Sequence, residues 1–93
     1  MDLSTVDQAL IISRGEYATV NGAYKDVMEE MQKTTQRACD HLRLVLQDEE
    51  KRVHHIAQVE MFVGMIASMV TTADELREQK DALKLIAWGK DVG

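Results

Sequence analysis

The sequence predicts an all-α protein: an antiparallel helical hairpin or small helical bundle, with three to four helical segments and coiled-coil-like packing. Three observations carry this reading. The chain contains no proline, the residue that interrupts helices by removing an amide donor. Aromatic residues make up only 4%, while the helix formers Ala, Leu, Met, Glu, Gln, Lys and Arg fill most of the sequence, and strands would want more β-branched and aromatic side chains. Finally, apolar residues recur at alternating spacings of three and four, the pattern that keeps one helix face against a neighbouring helix.

The first element starts near Ser4. Ser4 with Asp7 and Thr5 with Gln8 each place a hydroxyl three residues ahead of a side chain able to reach back to the free amides of a helix start. From there Leu3, Val6, Leu10, Ser13, Tyr17, Val20, Tyr24, Val27 and Met31 form a seam at heptad spacing, interrupted by Ser13. Gly15 and the turn dipeptide Asn21-Gly22 suggest a break within residues 14–23.

A second frame is expected to take over at Met28, through Met31, Thr35, Ala38, Leu42 and Val45, and to resume after the middle of the chain at Ile56, Val59, Val63, Ile66, Val70 and Ala73. Between them, the run QDEEKR at residues 47–52 puts Glu49 and Arg52 on the seam. A short hydrophilic stretch between two amphipathic segments suits a helix–helix connection. The same residues are good helix formers, so a solvated stretch of one long helix is the alternative. A further boundary is expected at Thr71-Thr72, because Thr72 with Glu75 makes a capping-box pattern and Asp74 and Glu75 suit the positive end of a helix dipole. The last helix then runs to about Trp88, with Gly89 placed as a C-terminal cap.

The stretch VEMFVGMIASMVTTADEL, residues 59–76, is the most apolar part of the chain. Its uncharged run, Met61 to Ala73, is bounded by Glu60 and Asp74 and falls short of the roughly 20 residues a bilayer span requires, so membrane insertion is not expected. It is apolar on more than one face, and Met61, Met65 and Met69 repeat every four residues. A methionine stripe fills gaps in an ordinary core or makes an adaptable binding groove. So small a chain has few helices with which to cover such a segment, and association supplies the missing core. An oligomer, or a complex with a helical partner, is therefore expected. The residues expected to make its contacts are Leu10, Tyr17, Tyr24, Met61, Phe62, Met65, Ile66 and Met69.

Composition bears on function chiefly by exclusion. The net charge is −5 and the basic residues are scattered, whereas nucleic-acid binding draws on clustered Lys and Arg and on aromatics for stacking; no nucleic-acid partner is expected. The single cysteine, Cys39, allows no internal disulfide and fits a reducing compartment. The N-terminus, with two aspartates and no basic residue before an apolar run, does not read as a secretory signal, so a cytoplasmic location is expected.

Candidate chemistry is sparse. Glu50 and His54 would share a helix face and could hold a metal, but no Glu-x-x-His element is present for a carboxylate-bridged metal pair. Cys39 and His41, two apart, diverge on a helix and do not make a nucleophile–base pair. The five glycines are isolated from one another and form no phosphate loop. No enzyme activity, cofactor, metal or small-molecule substrate is expected. In size, acidity and helicity the chain is similar to the small acidic all-helical chaperones and co-chaperones of bacterial export systems. That likeness implies an adaptor, assembly factor or chaperone that packs partner helices against its seam. The alternatives are an acidic regulator or inhibitor of a transcription or defence component, and a metal-binding helical protein.

Overall fold

A computed structural model describes the backbone of residues 3–88 and the side chains of residues 8–88. The chain forms an all-α helical hairpin: α1 runs Leu3–Gln47, a 3-10 turn spans Glu49–Lys51, and α2 runs Arg52–Trp88. The expected caps at Ser4, Thr5 and Gly89 lie outside the described side chains and residues.

The two long helices replace the three to four segments expected, because two of the three expected breaks are absent. α1 passes unbroken through residues 14–23 and α2 through Thr71-Thr72. Gly22 adopts ordinary helical backbone with open space around it, so its neighbours' helical bonds override the turn preference of Asn21-Gly22. At the second site the threonine hydroxyls bond backwards instead of capping a new helix: Thr71 Oγ1 donates to the Ala67 carbonyl at 3.3 Å and Thr72 Oγ1 to that of Ser68 at 3.2 Å. This i−4 bonding satisfies the hydroxyls inside a continuous helix.

The third break is present. Asp48 leaves the helical conformation, with φ −114° and ψ 85°, and its side chain accepts from the Lys51 amide as the N-cap of the 3-10 turn. Its own amide still donates to the Leu44 carbonyl at 2.8 Å. The carbonyl of Val45, in the last turn of α1, receives Arg52 Nε at 2.6 Å. The arginine that begins α2 therefore satisfies one of the acceptors a helix end leaves open.

Two compact units make up the chain, residues 1–26 with 73–93 and residues 27–72. In the first, Tyr17 meets Trp88 edge to face, with ring centroids 5.0 Å apart. Arg14 lies 5.4 Å from the Trp88 ring and donates from Nη2 to the Ala87 carbonyl at 3.4 Å. Lys80 sits 4.7 Å from the Tyr24 ring. The small buried residues of this unit, Ala73 and Ala87, belong to α2, while the large tyrosines come from α1. In the second unit the sizes are exchanged. Thr34 and Ala38 of α1 are buried, and the large buried residue is Phe62 of α2. Small residues against large ones let two helix backbones approach and interdigitate.

The seam on α1 keeps one phase. The alternation expected from Leu10 to Met31 continues through Thr34, Ala38, His41, Val45 and Asp48, all buried or half-buried. The shifted frame expected from Met28 is not the packed one: Met28, Thr35 and Leu42 are exposed. On α2 the packed positions are His55, Val59, Phe62, Ile66, Met69 and Ala73, whereas Ile56, Val63 and Val70 of the expected frame are exposed. Within residues 27–72 the packed seam carries the polar residues Thr34, His41, Asp48 and His55, while the flank beside it carries exposed aliphatic ones.

Because Gly22 is exposed and helical with no atom near a would-be Cβ, Gly22→Ala should raise stability by about 1 kcal/mol. Chemical denaturation checks this; a loss of stability would place a turn at Asn21-Gly22.

Candidate functional site

Two candidate features lie in the unit formed by residues 27–72. The first is a polar level next to the turn. His41 Nδ1 and His55 Nδ1 are 2.9 Å apart, and His55 Nε2 lies 3.2 Å from Asp48 Oδ2. A carboxylate only accepts, so His55 carries its proton on Nε2; with neutral rings, His41 then donates from Nδ1 to the bare Nδ1 of His55. Each hydrogen bond holds one proton. The ring of His41 also stacks at a tilt near Phe62, at 5.7 Å between centroids, so the polar level grades directly into the apolar one.

This network holds the Asp48 carboxyl below the usual aspartate range, chiefly through the hydrogen bond from His55, with the Lys51 amide adding to it; loss of water contact pulls the other way. A carboxyl lowered in the folded state contributes stability above the ordinary aspartate range, and loses it as pH falls through the lowered value.

As a metal centre the cluster is incomplete. Among the described residues no group of three or more His, Cys, Asp or Glu is placed to hold a metal ion. Glu50 lies in the 3-10 turn and His54 in α2, so the pair does not share a helix face. Cys39 is free and exposed.

The second feature is an exposed apolar side. In an antiparallel hairpin, the flank just after the seam residue has the same side on both helices. On α1 it carries Met28, Gln32, Thr35, Cys39, Leu42 and Leu46, and on α2 Val53, Ile56, Glu60, Val63, Ala67 and Val70, all exposed. Glu60 is the one charged residue among them. Leu46 and Val53, beside the turn, are each 81% exposed. The opposite flank of α1 carries Glu30, Lys33, Arg37 and Asp40, an ordinary solvated face on which Lys33 pairs with Glu29 and Asp40 with Arg43.

The eight residues expected to contact a partner divide sharply. Leu10, Tyr17, Tyr24, Ile66 and Met69 are half-buried and Phe62 is buried, so all six serve the chain's own seam. Met61 and Met65 are exposed, on the flank opposite Val63. Nothing in the sequence signalled that Leu42, Leu46, Val53, Ile56, Val63 and Val70 would be exposed, because apolar spacing assigned several of them to the internal seam.

In the other unit, Ile12, Gly15, Thr19, Val20, Ala82 and Leu83, together with Glu16 and Gln79, line an open groove of about 780 Å3. The window of helix Glu49–Trp88 with mean hydropathy 1.4 is long and apolar enough to cross a membrane by length and composition, and 11% of it is buried. No protein family, curated protein or solved structure matches the chain.

Two outcomes follow from this geometry. Between neutral and strongly acidic pH, wild-type stability should fall more steeply than that of Asp48→Asn, measured by urea titration across the pH series; parallel curves would show that the carboxylate adds nothing. Phe62→Ala should cost about 3 kcal/mol, while Met61→Ala, at an exposed position, should stay within about 0.5 kcal/mol.

Proposed function

We propose that this chain is a non-enzymatic protein–protein interaction module: a small acidic helical adaptor, assembly factor or secretion-type chaperone that works by helix packing. The observation that supports it best is the exposed apolar side of residues 27–72. Ile56, Val63 and Val70 recur every seven residues on α2, as Met28 and Leu42 do two heptads apart on α1. Exposed apolar surface concentrated on one side marks an interaction site more often than scattered single residues do. Heptad spacing suits a helical partner.

The exposed, free Cys39 supports action in a reducing, cytoplasmic setting. Insertion of α2 into a membrane draws support from its hydropathy. Against it, the uncharged run Met61–Ala73 is bounded by Glu60 and Asp74, and at 1.5 Å per residue it spans about 20 Å of a hydrocarbon core roughly 30 Å thick. The net charge of −5 supports an acidic regulator of a basic partner as the alternative.

An environment-sensitive apolar dye tests the reading. At concentrations dilute enough for the chain to be monomeric, it should bind the wild type equally at low and high salt, and the double variant Ile56→Glu/Val63→Glu should bind several-fold less. Apolar association is nearly indifferent to salt, whereas binding through acidic faces weakens as salt screens them. A wild type that is monomeric and still binds no dye would overturn the proposal.

A further inference from the structure

The apolar side of residues 27–72 is specific enough in shape to name what covers it. We infer that its occupant is a second copy of this chain, seated side to side so that two hairpins make a four-helix bundle; this rests on the interaction-module reading above.

The shape of the strip comes first. It is two helices wide, because α1 and α2 both contribute. From Met28 to Leu46 it runs eighteen residue steps, about 27 Å at 1.5 Å per residue. Two helices side by side are about 20 Å across. Two such strips in contact therefore remove on the order of 1,100 Å2 in total, just past the roughly 1,000 Å2 that a specific interface needs. A single amphipathic helix would cover about half of that width and leave the other helix's aliphatic residues in water. The strip needs a helix pair.

The repeat comes second. The exposed heptad positions descend one helix and ascend the other: Met28, Thr35 and Leu42 on α1 stand at the levels of Val70, Val63 and Ile56 on α2, a constant sum of residue numbers. A strip built this way has its own approximate two-fold axis, perpendicular to its face. Its complement is another antiparallel pair of heptad stripes of equal length, and the chain carries that pair itself. Two-fold pairing of one patch with its own copy is the commonest form of oligomer.

Charge comes third. Two chains of net charge −5 repel wherever their acidic faces meet. Along the strip itself, residues 28–46 and 53–70, this side carries Glu60 as its one charge, whereas the opposite flank of α1 carries Glu30, Lys33, Arg37 and Asp40. Two copies can therefore meet here while juxtaposing little like charge. Glu60 lies toward the rim, away from the seam, where a carboxylate keeps its water.

Cys39 supplies a readout, because the chain's one thiol is exposed on this same side. The full-length protein is examined by light scattering over a concentration series, and in parallel by the rate at which a bulky maleimide reacts with Cys39. The expected mass is twice the chain's 10.5 kDa, with labelling slowed several-fold as the dimer forms. Ile56→Glu/Val63→Glu should give a monomer of unchanged helicity, by circular dichroism, with fast labelling. Met65→Glu, on the other flank, should remain dimeric, which separates loss of this surface from a general loss of structure. A monomer at all concentrations overturns the inference. If that monomer still binds apolar dye, the interaction reading stands with a foreign helix pair; if it does not, both fall. Flotation of wild type with phosphatidylcholine vesicles, lost in the double variant, would assign the strip to a lipid surface and also overturn the inference. A dimer that survives Ile56→Glu/Val63→Glu and falls apart with Met65→Glu would place the interface on the opposite flank and overturn it equally.

Discussion

A helix with a single neighbour can bury one stripe of its surface and no more. Two long helices therefore share one seam, and everything else about this chain follows from that limit. Among the described residues the buried apolar side chains are Ala38, Phe62, Ala73 and Ala87, three of them alanines. The alanines contribute little area each, but they bring the backbones close enough for the half-buried tyrosines, Val59, Ile66 and Met69 to pack along the edges. Hydrophobic stabilisation follows apolar area removed from water. So narrow a seam removes little of it, and the remaining aliphatic surface stays available to another molecule.

Carbonyls near the C-terminal limits of both described helices are bonded by side chains from outside them. Neither helix has a basic residue in its last turn. Arg52, from the start of α2, reaches the carbonyl of Val45, and Arg14, from α1, reaches that of Ala87. Arg52 thus meets an acceptor that the end of α1 leaves open, and both arginines bond across the hairpin rather than along a helix. Where a short protein has little core, such polar ties carry a larger share of its specificity.

Much of the fold was legible in the sequence. Composition and the seam from Leu10 to Met31 identified the class, and the failure of apolar residues at 47–52 located the connection. Local signals misled where the helix could absorb them: Gly22 fits helical backbone, and Thr71 and Thr72 turn their hydroxyls onto carbonyls one turn back. The larger misreading concerned the seam's phase. Counting apolar residues selects Met28, Leu42, Ile56, Val63 and Val70, whereas the packed positions include Thr34, His41, Asp48 and His55. Unbroken three-and-four spacing from Leu10 to Asp48 was the available signal, and it required accepting polar residues in the interior. The exposed side was missed for the same reason, since its residues had already been spent on the core.

Those interior polar groups have a consequence for how the hairpin settles. A smooth heptad seam of aliphatic side chains looks much the same after sliding by seven residues, so such a seam alone is a poor ruler. Thr34 satisfies itself on the carbonyl of Glu30, but His41, His55 and Asp48 satisfy one another. Sliding α2 along α1 by one heptad would separate His55 from His41 and break the set in which His41, His55 and Asp48 satisfy one another, at the cost of an unmade buried hydrogen bond. The three residues act as an index pin: of the many alignments that the apolar stripes would tolerate, one lets every polar atom near the turn find its mate.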